Sequence, residues 1–100
     1  VFYFIEALQR AALELGFNAE EARRLSLETF FGASKLAARS DEDVSVLRAR
    51  VTSKNGTTER ALSSLAGNQV AEHIVQAAKA AEARAREMGD ELGDKSGEAG

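Results

Sequence analysis

The run Val51–Glu59, VTSKNGTTE, is the one place where a chain of largely helical spacing turns polar and flexible. Gly56 can adopt positive φ angles, and Asn55 can do so less easily. Thr57 or Thr58 can cap a helix that begins here. The run therefore predicts a tight turn followed directly by a new helix.

The first turn of that helix has two possible roles. Its backbone N–H groups point at one spot, and the helix dipole adds a partial positive charge there. A small anion such as a carboxylate or a phosphate would be held at such a spot. An ordinary helix–loop–helix connection with a good cap is the commoner use of the same residues. The turn alone leaves both roles open.

The composition favours a small helical domain. A length of 100 residues suits a single domain that buries roughly two-thirds of its unfolded surface. The chain is 44% hydrophobic and 29% charged, which is typical of soluble globular proteins. Proline is absent and alanine is abundant, and both favour helix. The predicted fold class is therefore all-α.

The same composition argues against several partners and cofactors. A net charge of −3 disfavours nucleic acid, which rewards a basic surface. Without cysteine there are no disulfides or thiolate ligands, and a single histidine without clustered ligands predicts no metal site. Because no apolar run reaches ~18 residues, neither a membrane span nor a membrane partner is expected.

Hydrophobic spacing predicts five helices and no strand. Gly16 is expected to follow the end of the first helix, and Asn18 with Glu21 to form a capping box for the second. Ser40 is predicted to cap the third helix and Asn68 the fifth. The expected helices are about Val1–Leu15, Ala19–Arg39, Ser40 to Arg50, Thr58–Leu65, and Asn68 to Met88 or Leu92. Residues 1–92 would form the domain and residues 93–100 a flexible tail.

The apolar faces of these helices are too wide for five helices to cover one another. This predicts a partner chain, and the alternative is a compact monomeric bundle with alanine-lined contacts. The small residues Gly32–Ser34 lie in the middle of the second helix. Either they let another helix cross closely, or Gly32 is a surface glycine tolerated at a cost of about 1 kcal/mol.

Motifs for nucleotide binding and for catalysis are missing from the sequence. It has no G-x-G-x-x-G, no phosphate-binding G-x-x-x-x-G-K-[ST] and no G-x-S-x-G. His73 is the only candidate general base, and it lies in mid-helix beside Ile74. A histidine so placed is more often a boundary residue than a catalyst. The chain by itself is therefore not expected to bind a nucleotide.

The run Thr52–Leu62, TSKNGTTERAL, resembles the T-S-P-G-G-T-T-x-x-A-L signature of pyrroline-5-carboxylate reductase, the last enzyme of proline biosynthesis. Other segments resemble the same family in register, so the resemblance extends from Val1 to about Leu92. These segments are Val1–Leu8, Ala12–Phe17, Glu21–Leu25, Gly32–Ala37, Leu47–Val51 and the R-x-x-E-M run that ends at Met88.

The resemblance implies an oxidoreductase that reduces 1-pyrroline-5-carboxylate to L-proline in the cytoplasm. In that family a Rossmann domain binds NADP or NAD, and an all-helical C-terminal domain follows it. This chain resembles only the C-terminal domain, so the isolated chain is expected to be inactive. The family's helical domains interlock into a homodimer, and dimers can assemble further into a decamer.

The resemblance also assigns roles to individual residues. The Ser53 hydroxyl and the backbone N–H groups of Gly56 and Thr57 would hold the substrate carboxylate. Thr58 would bind substrate and act as the catalytic residue, through a hydrogen bond to the ring nitrogen. Arg50 stands where the family can contact the cofactor.

This chain departs from the family signature at two positions of the turn. Lys54 and Asn55 replace a proline and a glycine, so a fixed φ is lost, while Asn55 can still reach a positive φ. Two other functions remain open from the residues. One is a non-catalytic helical oligomerisation module, and the other is a helical scaffold that binds a different small carboxylate at the same turn.

Overall fold

The computed structural model describes the backbone of residues 1–99 and the side chains of residues 1–92, and the flexible tail over residues 93–100 stays a prediction. The described part of the chain is all-α and contains no strand, which confirms the predicted fold class. Its helices are α1 (Phe2–Glu14), α2 (Ala19–Arg39), α3 (Val44–Arg50), α4 (Thr57–Gly67) and α5 (Val70–Ala99).

The chain divides into two compact units. The first unit is Val1–Val51, in which α1 packs against α2 as a hairpin and α3 follows. The second unit starts at Thr52, and in it α4 packs against α5. The boundary between the units lies inside the polar run that separates α3 from α4.

The turn between α1 and α2 confirms the prediction that Gly16 follows the end of the first helix. Gly16 has φ +105°, and its N–H donates to the Leu13 carbonyl at 3.1 Å. The next N–H, of Phe17, donates to the Ala12 carbonyl at 3.1 Å. These two bonds form a Schellman motif, in which glycine avoids the strain that a side chain brings to this φ.

The predicted capping box of α2 is also present. The Glu21 N–H donates to the Asn18 side-chain oxygen at 2.8 Å, and the Asn18 N–H donates to the Glu21 carboxylate at 3.1 Å. Two N–H groups that the helix itself leaves unpaired are thus satisfied by neighbouring side chains. The bounds of α2 agree with the prediction because both partners lie within one turn of sequence.

Three predicted caps are wrong, and for α3 and α4 a neighbouring residue takes the position. Asp43 caps α3, because its carboxylate accepts the Ser45 N–H at 3.0 Å, while the Ser40 hydroxyl accepts the Glu42 N–H. Gly56, rather than either threonine, is the N-cap of α4. Asn68 ends α4 instead of starting α5, since its side-chain amide donates to the Ser64 carbonyl at 2.8 Å.

The Asp43 cap adds a pH-dependent contribution to the stability of α3. Hydrogen bonds from the Ser45 hydroxyl and the Ser45 N–H hold the pKa of Asp43 below its usual value. A carboxyl group whose pKa is lowered by folding stabilises the fold when the pH is above its unfolded pKa. That contribution is lost as the pH falls through the lower pKa of the folded state.

Very little of the described chain is buried. The only apolar side chain classed as core is Ala22, which is 1% exposed, and Ser26, one helical turn later, is 3% exposed. Both lie on the face of α2 in the hairpin, where small side chains let two helices approach closely. Large apolar side chains stay open to solvent, among them Leu15, which is 79% exposed. Within each of the two units, most of the large apolar side chains of the described residues therefore stay uncovered.

Gly32 lies in open space within the described residues, because a Cβ added there would meet no atom within 4 Å. In the single chain it is thus a tolerated surface glycine. A close crossing by a helix of another chain stays a prediction.

Replacing Ala22 by leucine should lower the free energy of unfolding of the protein by about 2 kcal/mol, because the extra carbons have no space in a contact this close. Urea denaturation measures the change. Leucine at the exposed Ala38 of the same helix is the control, and it should alter stability by less than about 0.5 kcal/mol. An Ala22→Leu variant as stable as the parent would show that the hairpin is not closely packed there.

Candidate functional site

The polar run forms a tight turn just before α4. The Gly56 N–H donates to the Ser53 carbonyl at 3.0 Å, which closes a four-residue turn. Asn55, third in this turn, has φ +62°, and Lys54 before it has no positive φ. This is the pattern of a type II turn, whose preferred central residues are proline and then glycine. The expectation that Asn55 can reach a positive φ is confirmed.

Glycine is needed at position 56 for a reason other than a positive φ. Gly56 has φ −85° and ψ 177°, which any residue can adopt, so its ability to reach a positive φ is not used here. A Cβ added to Gly56 would overlap the Ser53 side-chain oxygen and lie 3.1 Å from the Ser53 carbonyl oxygen. The absence of a side chain at Gly56 therefore lets the Ser53 hydroxyl lie against the start of α4.

The start of α4 presents unpaired donors. No side chain caps this helix, and its first helical bond runs from the Arg60 N–H to the Gly56 carbonyl at 3.2 Å. Within the described residues the N–H groups of Thr57, Thr58 and Glu59 have no acceptor in the protein. Three aligned donors at the positive end of a helix dipole suit a carboxylate or a phosphate.

One predicted donor is used differently. The Gly56 N–H, expected in the cradle for an anion, is already bonded to the Ser53 carbonyl. In this conformation the open donors begin one residue later, at Thr57. Thr58, the predicted catalytic residue, is half-buried, and its hydroxyl makes no hydrogen bond in the described part of the chain.

An open cleft of about 340 Å³ lies beside this helix start. It is lined by Asn55, Gly56, Thr57, Glu59, Arg60 and Ser63. Ser53 and Thr58 are not part of its lining, while Glu59, Arg60 and Ser63 were missed from the sequence. Their spacing from Gly56, at i+3, i+4 and i+7, is a signal that places them on one face of α4.

The cleft carries charges of both signs. The Arg60 guanidinium is exposed and makes no ion pair with the described residues. The Glu59 carboxylate, half-buried, accepts the Asn55 N–H at 3.3 Å. An unpaired cation one turn from the open N–H groups adds to the attraction for an anion.

Arg50 belongs to the other unit of the chain and is already paired. Its two terminal nitrogens bond the two carboxylate oxygens of Glu42, at 2.5 and 2.6 Å. Such a two-bonded pair fixes the guanidinium and neutralises its charge. The predicted contact between Arg50 and a cofactor is not tested by this arrangement, and stays a prediction.

The described residues offer no metal centre and no membrane helix. No group of three or more potential ligands among His, Cys, Asp and Glu occurs in residues 1–92. None of the described helices combines the length and the apolar character that crossing a membrane requires. His73 is exposed on α5 and lines none of the clefts described above.

An all-α fold whose apolar faces stay uncovered within one chain is that of a helical oligomerisation domain. The family model for pyrroline-5-carboxylate reductase dimerisation matches residues 1–88. The chain therefore belongs to the pyrroline-5-carboxylate reductase family and is a C-terminal dimerisation domain of that family. The resemblance seen in the sequence is confirmed.

Relatives in bacteria are similar along almost the whole chain. A pyrroline-5-carboxylate reductase of Pseudomonas aeruginosa is 40% identical over 92 residues, which are 92% of this chain and 34% of the relative. One of Vibrio alginolyticus is 41% identical over 88 residues, which are 87% of this chain and 32% of the relative. The chain thus spans about a third of the length of these relatives.

Two solved structures are also similar. A pyrroline-5-carboxylate reductase from Coxiella burnetii has a TM-score of 0.81 and 41% identity over 86% of this chain and 32% of that one. A pyrroline carboxylate reductase of Plasmodium falciparum, solved with NADP bound, has a TM-score of 0.77 and 30% identity over 79% of this chain and 32% of that one.

Proposed function

We propose that this chain is the dimerisation and substrate-binding part of a cytoplasmic reductase that converts 1-pyrroline-5-carboxylate to L-proline. The observation that carries the proposal is the start of α4, where three open N–H groups meet the Ser53 hydroxyl at a glycine that allows close approach. A carboxylate is the group of this substrate that such a site would hold.

The substrate would be oriented by its carboxylate. Hydrogen bonds from Thr57 and from the Ser53 hydroxyl would fix the carboxylate, and the ring would then lie over the first turn of α4. An orientation fixed in this way contributes to the rate because the reacting atoms are already aligned. The Arg60 charge at the edge of the cleft would favour the approach of the anionic substrate.

Thr58 would act on the ring nitrogen. Reduction of the imine adds a hydride to carbon and a proton to nitrogen. As the hydride arrives, the electron pair of the C=N bond moves onto nitrogen, and a hydrogen bond from the Thr58 hydroxyl would stabilise it there. The hydroxyl has no partner among the described residues, so it is free to make this bond. The reduced form of NADP or NAD, bound mainly by a domain outside this chain, would supply the hydride.

In the full-length protein, Thr58→Ala should lower kcat for pyrroline-5-carboxylate about tenfold, which corresponds to the loss of one hydrogen bond. Oxidation of NADPH or NADH, followed by absorbance, measures the rate. Thr58→Ser keeps the hydroxyl and is the control, which should stay within about threefold of the parent. A full-length protein with no turnover of pyrroline-5-carboxylate would refute the proposed function.

A non-catalytic helical oligomerisation module is the second candidate. It is favoured by the absence of a nucleotide-binding motif from this chain and by the exposure of its apolar faces. In that case the full-length protein would oligomerise but would oxidise no nicotinamide cofactor with any small imine.

A further inference from the structure

The Glu59 carboxylate, in the first turn of α4, accepts a hydrogen bond from the turn that precedes the helix. Glu59 is the third residue of α4, where the glutamate of an ordinary capping box bonds the N–H of the N-cap residue. Here that N–H, of Gly56, is already bonded to Ser53, so Glu59 accepts the N–H of Asn55 instead. The bond thus reaches the residue that has the positive φ.

Lys54 and Asn55 leave this turn with little rigidity of its own. Proline at the second position of a type II turn fixes one φ, and glycine at the third adopts the positive φ without strain. Lysine does not fix φ, and asparagine is less suited to φ +62° than glycine is. A turn of this composition has more alternative conformations, so a bond from outside the turn restrains more of them.

We infer that Glu59 is a positioning residue of the substrate site, an inference that rests on the proposed function. Its carboxylate acts through Asn55 and does not itself bind the substrate. By restraining Asn55 it keeps the Ser53 hydroxyl and the open N–H groups of α4 in one arrangement. Loosening that arrangement weakens binding of the carboxylate equally in the ground state and the transition state. Substrate that does bind keeps the same orientation, so KM rises and kcat stays unchanged.

The negative charge of Glu59 would have the opposite effect on KM. A carboxylate beside an anion site repels the substrate, so removing it would lower KM if repulsion were its main effect. Two substitutions separate these effects. Glu59→Gln removes the charge and keeps an oxygen acceptor for the Asn55 N–H, whereas Glu59→Ala removes both.

The test uses the full-length protein, with steady-state kinetics on pyrroline-5-carboxylate and deuterium exchange of the peptide that covers residues 52–60. Glu59→Ala should raise KM about three- to tenfold and speed amide exchange in that peptide by a similar factor, with kcat within about twofold. Glu59→Gln should keep KM within about twofold of the parent. Glu72→Ala is the matched control, since Glu72 is an exposed first-turn glutamate of α5, and it should change neither readout.

Restoring a rigid turn should compensate for the loss of Glu59. Adding Lys54→Pro and Asn55→Gly to Glu59→Ala should return KM and the exchange rate to within about twofold of the parent. A lower KM in Glu59→Ala, a fall in kcat at constant KM, or no recovery in the combined variant would each overturn the inference. If the parent protein shows no turnover the proposed function fails, while the exchange measurement still tests whether Glu59 restrains the turn.

Discussion

Replacing Gly56 by alanine in the full-length protein is expected to lower kcat/KM for pyrroline-5-carboxylate about 100-fold while leaving the fold nearly as stable. The backbone at Gly56 has φ −85° and ψ 177°, so alanine meets no conformational barrier there. The obstacle is the new Cβ, which would overlap the Ser53 side-chain oxygen and press on the Ser53 carbonyl.

The Ser53 side chain can relieve this overlap by rotating, and rotation removes its hydroxyl from the start of α4. The carboxylate then loses that hydrogen bond, and the methyl group itself obstructs approach to the N–H of Thr57. Two lost hydrogen bonds to a charged group, at roughly 1.5 kcal/mol each, correspond to about 100-fold in kcat/KM.

Two further variants make this expectation specific. Gly67→Ala is the matched control in the same helix, because a Cβ at Gly67 meets nothing within 4 Å, and it should leave kcat/KM unchanged. Ser53→Ala combined with Gly56→Ala removes the overlap with the hydroxyl, so it should be as stable as the parent but should not regain activity. A Gly56→Ala variant with parental kcat/KM would show that the substrate is bound elsewhere.

The parts of the fold that the sequence predicts well are those set by neighbours in the chain. The ends of α2 follow from a capping box whose two partners are three residues apart, and Gly16 follows from a helix end that needs a positive φ. The wrong caps occur where several suitable residues compete. The Ser40 hydroxyl and the Asp43 carboxylate both accept an N–H, and the sequence does not show which of the two directly precedes the helix.

In the candidate site, too, some features can be predicted from the sequence and others cannot. The helix start at Thr57 is predictable because a polar turn precedes an apolar stripe. The need for glycine at position 56 cannot be predicted from the sequence, because it depends on how closely Ser53 approaches across the turn. The bond between Asn55 and Glu59 also depends on the turn geometry, since Glu59 accepts the Asn55 N–H while the Gly56 N–H is bonded to Ser53.

The other large effect is expected at the apolar face of α5, where Ile74→Asp should convert the dimer into monomers. Ile74 is 44% exposed in the single chain although it lies on the apolar stripe of its helix. The apolar residues along this stripe are Val70, Ile74, Ala77, Ala78, Ala81, Ala85 and Met88. A dimerisation domain with so little internal core must bury faces of this kind against a second chain.

Symmetry makes the expected effect large. In a twofold dimer each surface occurs on both chains, so one substitution places two carboxylates in the interface. Burying a carboxylate without a partner, and losing the isoleucine contact, costs about 2 kcal/mol per copy. About 4 kcal/mol in total raises the dimer Kd roughly 1000-fold. Sedimentation velocity of the full-length protein over a range of concentrations measures this Kd.

Ala83→Asp is the matched control for this experiment. Ala83 lies nine residues further along α5, which is two and a half turns, so the same new charge faces the opposite side of the helix. That variant should sediment as the parent does, and far-ultraviolet circular dichroism should show unchanged helix content in both. If Ile74→Asp stays dimeric at micromolar concentration, the apolar stripe of α5 is not what joins the two chains. The exposed apolar side chains of other helices, such as Phe2 of α1 and Phe31 of α2, then become the candidates for the dimer surface.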